Sequence, residues 1–161
     1  MKTSREMLIE NLIIENYEKY YRLAFSYVHN EADALDIVQE GAYKAIFKCD
    51  SLKEESFAGT WIYRIMLNEI FLFCRQKETY AIESYDTLKA AEEDFAFQKE
   101  KDLLLRDAFQ NLPPKEKAVI ELRYFEDMKL EEISLILDEN LSTVKSRLYR
   151  ALEKMKLSMT E

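Results

Sequence analysis

Apolar residues recur every three to four positions over most of the chain, the spacing of helices that bury one face. The first such run puts Ile9, Leu12, Ile13, Tyr17, Tyr20, Tyr21, Ala24, Phe25 and Val28 on one continuous stripe and predicts a single helix ending near His29 and Asn30. A second helix starts around Glu31. It is expected to bury Leu35, Val38, Ala42, Ala45, Ile46 and Cys49, leaving Asp33, Asp36, Gln39, Glu40 and Lys44 outward. After a polar break, Asp50 to Ser56, a third helix runs from about Phe57 to Gln76, with Ile62, Ile65, Met66, Glu69, Ile70 and Phe73 along one side.

From Lys77 to about Phe97 the period weakens and acidic residues dominate, which predicts an extended tether over 78–98. Helical spacing resumes at Lys99 to Asn111 and stops at Leu112-Pro113-Pro114. A new helix is expected to open at Pro114, where a missing N–H costs nothing, and to carry Ala118, Val119, Leu122 and Phe125. Leu130 to Leu137, the turn Asp138 to Leu141, and Ser142 to Lys156 have the lengths of a helix-turn-helix. The expected fold is all-α, with two small helical domains, 1–77 and 99–161, joined by the acidic tether.

Composition agrees with that reading. Two Gly and two Pro in 161 residues leave little turn chemistry for hairpins. No apolar run reaches the roughly 20 residues needed to span a bilayer, and Met1 to Glu10 carries charges where a signal peptide would be apolar, so a cytoplasmic protein is expected. Cys49 and Cys74 lie in apolar periodic segments without a CxxC pair and read as buried free thiols. His29 stands alone. No nucleophile–base pair or metal spacing appears, so neither an enzyme nor a cofactor is expected.

A net charge of −8 argues at first against a nucleic-acid binder. Its distribution reverses the argument, because residues 57–77 carry a net +2 and residues 141–161 a net +3. On a helical wheel of the last helix, Val144, Leu148, Leu152 and Met155 form the buried stripe, opposite Ser142, Thr143, Ser146, Tyr149 and Arg150, with Lys145, Arg147 and Lys154 flanking. Small hydroxyl residues let a helix sit deep in the major groove, an arginine can reach a guanine edge, and flanking cations neutralise phosphates. The bland alternative is an ordinary solvated helix face.

The third helix carries a second stripe in which Trp61, Arg64, Asn68 and Arg75 share a face, with Tyr63 alongside. Rings to stack on bases, cations for phosphates and an amide to read an edge are what unpaired DNA requires. The alternative has Trp61 and Tyr63 completing the core while Arg64 pairs with an acidic neighbour. On the second helix, Asp36, Gln39 and Glu40 form a face that is either solvated or docks on a basic helical partner, and sequence physics leaves both open.

These residues, in this order, resemble a known family over nearly the whole chain. Asn30 to Glu40, Phe57 to Ile65, Asn68 and Arg75 are similar to region two of RNA polymerase sigma factors. Leu112-Pro113-Pro114, Leu130 to Ile133, and Thr143 to Leu148 with Arg150-Ala151 are similar to region four. The lack of long middle and amino-terminal regions places the resemblance in the small extracytoplasmic-function group.

The resemblance implies that Asp33, Asp36, Gln39 and Glu40 dock on the clamp helices of the largest subunit of core RNA polymerase. It implies that the loop Asp50 to Ser56, with Leu52 as its apolar member, and Asn68 capture a flipped base of the minus-10 element while Trp61, Tyr63, Arg64 and Arg75 meet opened promoter DNA. It implies that Arg123, Lys145, Ser146, Tyr149 and Arg150 face the minus-35 duplex, and Ser142, Thr143 and Arg147 join them from the helical wheel. An anti-sigma factor, often membrane-bound, is the implied regulator. Leu72, Gln76 and Asp138 depart from the usual Asp, basic residue and Gly of the family. The rival is an autonomous helix-turn-helix regulator whose residues 1–77 dimerise or sense, and the Trp61 to Arg75 stripe separates the two readings.

Overall fold

Thr3 opens the first helix, its Oγ1 accepting from the N–H of Glu6 at 3.1 Å. In this computed structural model, which describes residues 2–76 and 100–160 with side chains over 2–76 and 104–157, α1 spans Ser4–Glu15 and α2 spans Tyr17–Val28. The tether expected over 78–98 lies outside the described residues.

The single helix expected up to Val28 is thus two. At Asn16 the backbone N–H and side-chain Nδ2 both donate to the carbonyl of Leu12, at 3.1 and 2.9 Å, and ψ moves to 14°. An asparagine side chain that competes for a helix carbonyl is a recognised cause of such breaks. The break redirects the apolar stripe. Ile9 and Ile13 are buried on α1, Tyr20, Leu23 and Ala24 on α2, and Tyr17 is left exposed.

His29 ends α2 in the left-handed conformation, φ 53°, its N–H donating to Phe25 O at 2.8 Å. Histidine is among the residues that tolerate that region. Asn30 then caps α3 (Glu31–Phe47), its Oδ1 accepting from the N–H of Asp33 at 3.0 Å. The buried face of α3 is Ala34, Ile37, Val38, Gly41 and Ala45, rotated from the expected one, so that Leu35, Ala42 and Ile46 are only half-buried. Its small residues let α4 (Ala58–Gln76) come close: a Cβ on Gly41 would stand 2.5 Å from Met66 Sδ. Lys44, expected outward, bonds Glu69 of α4. The short turns Cys49–Ser51 and Glu55–Phe57 join α3 to α4. In this first unit, Met1–Glu78, α3 packs on α2 and α4, and α1 lies against α3, α4 and the Cys49 turn.

The second unit, Thr79–Glu161, comprises α5 (Glu100–Gln110), α6 (Pro114–Ile120), α7 (Leu130–Leu137) and α8 (Leu141–Thr160) among its described residues. Pro114 takes the first position of α6, as expected. Ala118, Val119 and Leu122 are buried, but Phe125 is exposed. The cause is a π-helical turn over Glu121–Phe125, closed by the N–H of Glu126 on Glu121 O at 3.1 Å. Its extra residue per turn carries Phe125 off the apolar face, against the edge of Phe109.

α7 ends at Asp138, left-handed with φ 54°, where the family resemblance calls for Gly. On α8 the buried stripe is Val144, Leu148, Ala151 and Met155. Leu152, expected in that stripe, is exposed: the packing side of α8 takes the methyl of Ala151 and turns the larger neighbour outward.

Candidate nucleic-acid interface

α4 crosses the core of the first unit with Ile62, Met66, Leu67 and Ile70 wholly buried, which fixes the rotation of the helix. With that rotation fixed, Trp61 and Arg64 are half-exposed and Asn68 and Arg75 exposed, all within one narrow stripe of α4. Tyr63 does not share it. It is 7% exposed and packs edge-on against Tyr20, because position 63 follows Ile62 onto the buried side.

The loop preceding α4 is held from below. Leu52, expected to line a base pocket, is 4% exposed, and its backbone carbonyl accepts from the guanidinium of Arg5 on α1. Arg5 Nε also stands 4.0 Å from Glu55 Oε1. The Leu52 side chain is therefore part of the loop's foundation rather than of its surface. Beside it, burial chiefly, and then the charge of Asp50, pushes the Cys49 thiol up. The ring that this loop leaves exposed is Phe57.

On α3, Asp36, Gln39 and Glu40 are exposed and Asp33 half-buried. The same face continues through Tyr43 and Phe47, 64% and 75% exposed, whose rings stack with centroids 6.0 Å apart and planes at 12°. The sequence pattern that picked out the acidic residues left this pair unnoticed. Continuing the same spacing from Asp36 and Glu40 to positions 43 and 47 would have found it.

In the second unit, α8 turns Ser142, Lys145, Ser146, Tyr149 and Arg150 to the outside, with Thr143 half-buried at the edge. Arg147 is different: its Nε and Nη2 donate to Glu139 Oε2 and Oε1 at 2.7 and 3.0 Å. Lys154, itself exposed, also has a carboxylate partner: Glu116 of α6, at 2.9 and 3.1 Å from its two oxygens. Arg123 is half-buried in the π-helical turn. It donates to Met128 O at 3.3 Å, and its guanidinium lies 5.8 Å from the centre of the Tyr124 ring. Positive charge on the outer face of α8 is thus carried by Lys145, Arg150 and Lys156, with the exposed Glu153 among them.

Two stretches of the chain match families of known proteins. Residues 12–79 match Sigma-70 region 2, and residues 102–155 match Sigma-70, region 4. The chain is 39% identical over 163 residues to the RNA polymerase sigma factor SigV of Bacillus subtilis, covering 99% of this chain and 96% of that protein. It is 28% identical to the ECF RNA polymerase sigma factor SigW of the same organism, covering 92% and 88%. Among solved structures, the sigma factor RpoE in complex with the anti-sigma factor NepR from Bartonella quintana shares the fold with a TM-score of 0.67 at 20% identity, over 94% of this chain and 96% of that one. CnrH in complex with the cytosolic domain of CnrY also gives 0.67 at 20% identity, over 92% and 85%.

Proposed function

The chain belongs to the sigma-70 family, in its extracytoplasmic-function group of RNA polymerase sigma factors, and from that premise we propose how its helices divide the work of initiation. As a sigma factor it binds core RNA polymerase and directs initiation at promoters. Sigma factors in general are non-enzymatic, and we assign this chain no catalytic residue.

α3 is the docking element. Asp36, Gln39 and Glu40, with Asp33 at their edge, meet a basic helical surface of the polymerase's largest subunit, and the stacked Tyr43 and Phe47 extend the contact with apolar area. Charge complementarity steers such an encounter and aromatic residues anchor it.

α4 is the minus-10 element. The observation that carries this is that α4, with Ile62, Met66, Leu67 and Ile70 wholly buried, nevertheless keeps Trp61, Arg64, Asn68 and Arg75 unburied on one stripe. Trp61 stacks on an unpaired base, Arg64 and Arg75 take phosphates, and Asn68 reads the edge of a base flipped toward the loop. Phe57, rather than Leu52, supplies the apolar wall beside that base, since Leu52 is enclosed and Phe57 is not. Tyr63 supports the stripe from within.

α8 is the minus-35 reader, with Arg150, Ser146 and Tyr149 toward base edges and Lys145 and Ser142 on phosphates. Thr143 stands at the rim, and Arg123 reaches the backbone from the π-helical turn. Among the described residues no helix is long and apolar enough to cross a membrane. We place the protein in the cytoplasm, held when idle by an anti-sigma factor that covers α3, itself membrane-anchored.

The test is transcription with core polymerase and the purified chain. Discrete start sites are expected, with permanganate-reactive thymines over the minus-10 element that fade in Trp61→Ala while core affinity stays. Tight operator binding without core, and no initiation with it, would overturn the reading in favour of an autonomous regulator.

A further inference from the structure

Glu139 stands in the turn between α7 and α8, and its carboxylate joins three elements of the second unit. Arg147, in the second turn of α8, grips it with two parallel hydrogen bonds of 2.7 and 3.0 Å. Lys115, in the first turn of α6, donates to Oε1 at 3.2 Å. The Glu139 and Arg147 side chains are only 13% and 23% exposed, so this is not a solvated surface pair. Burial pushes the Glu139 carboxyl up, but the hydrogen bonds from Arg147 and Lys115 and their charges outweigh it and hold it below its ordinary value.

A forked guanidinium–carboxylate pair has a fixed planar geometry, and it therefore constrains orientation as well as separation. Apolar packing of Val144, Leu148, Ala151 and Met155 sets which face of α8 is buried. The force behind it is non-directional, and the fork adds a directional constraint on the angle within that face. Glu116 and Lys154 add a second tie between α6 and α8, seven residues further along. Arg147 and Lys154 thus lie along one flank of α8, each tied to a carboxylate, and the exposed face keeps Ser146, Tyr149 and Arg150.

We propose that Glu139 and Arg147 are positioning residues for minus-35 recognition: their forked pair, braced by Lys115, sets the rotation of α8 so that Ser146, Tyr149 and Arg150 meet the base edges in one register. This rests on the reading of α8 as the minus-35 helix, and it removes Arg147 from the phosphate contacts. The pair acts through the geometry of its neighbours and touches no base itself.

The experiment uses the full chain bound to core polymerase and a promoter panel with single base changes across the minus-35 element. Each wrong base pair is expected to weaken the unaltered protein by about tenfold. Glu139→Gln keeps size and loses charge, and Arg147→Lys keeps charge and loses the fork. Both are expected to compress that discrimination to about twofold, as helix rotation blurs several base contacts at once. The exchange Glu139→Arg with Arg147→Glu, combined with Lys115→Glu so that the new guanidinium has acidic partners on both sides, is expected to recover most of it, which no phosphate-contact role of Arg147 would allow.

Arg150→Ala separates the two levels of the argument. If it leaves discrimination intact, the reading of α8 has failed. If it abolishes discrimination at its own base pair while Glu139→Gln and Arg147→Lys leave the panel unchanged, or weaken every promoter equally, the positioning role is overturned. Circular dichroism confirms folding, and Arg147→Lys carries the test should Glu139→Gln not fold.

Discussion

Tyr63 meets Tyr20 edge to face in the core of the first unit, ring centroids 5.1 Å apart and planes at 78°. That contact decides between two uses of adjacent aromatic residues on α4. Trp61, two positions earlier, is half-exposed on the polar stripe, whereas Tyr63 is enclosed with α2. Removing each ring should therefore injure a different property.

Tyr63→Ala is expected to cost about 3 kcal/mol or more of stability, the usual loss for a buried aromatic truncated to alanine. Trp61→Ala should cost clearly less and instead reduce promoter melting. Urea denaturation followed by circular dichroism, with permanganate footprinting of open complexes, checks both. Comparable stability losses for the two would show that Trp61 is core and not interface.

The face of α3 makes a prediction about affinity for core polymerase alone. Asp36→Lys reverses an exposed charge and is expected to weaken core binding about tenfold or more, in the range measured when a charge opposes its partner across an interface. Phe47→Ala, which removes a ring that is 75% exposed, should weaken it also while leaving the unfolding midpoint nearly unchanged. A titration of labelled chain against core checks this, and an unaltered affinity for Asp36→Lys would remove α3 from the docking role.

Asp138 holds φ 54° at the end of α7, with the N–H of Glu139 donating to Ser134 O at 3.0 Å. A side chain there pays for a backbone region that glycine enters freely. Asp138→Gly should raise stability by about 0.5 to 1 kcal/mol without changing minus-35 selectivity, because the bond from Glu139 closes the turn in either case. Thermal melting of the full chain gives the sign.

Much of this was legible in the sequence wherever one element decides for itself. Glu31 as the start of a helix, Pro114 as a first helical residue and Val144, Leu148 and Met155 as a stripe follow from local chemistry and the helical period, and each stands where expected. What the period could not resolve were choices between neighbours. Leu152 outranks Ala151 in hydrophobicity, yet close packing of α8 selects the smaller residue. Leu52 and Tyr63 carried the right chemistry for DNA, and only the third dimension shows both enclosed, Leu52 with its carbonyl held by Arg5 and Tyr63 with its ring against Tyr20. The partner of Arg147 is eight residues away across a turn, and the other cation on Glu139 is twenty-four away; no single-helix wheel can reveal such a cluster. Docking on polymerase came from family resemblance, since an acidic face alone does not name its partner.

The same cluster ties the stability of the second unit to pH. The Glu139 carboxyl is held below its ordinary value in the folded chain, so the unfolded chain takes up its proton first as the solution is acidified. The stabilisation from Glu139 is therefore fully present above the unfolded value, roughly pH 4.3 for a free glutamate, and is lost as pH falls through the folded value. Protonated Glu139 would still accept one hydrogen bond but could no longer balance two cations. The unaltered chain should thus lose stability between about pH 5 and pH 3 more steeply than Glu139→Gln, and the two curves should converge at the acid end. Urea melts of both proteins across that window measure the difference. Parallel curves would mean that the Arg147 and Lys115 contacts do not favour the charged carboxylate, and the orientation of α8 would then have to be set by its apolar packing alone.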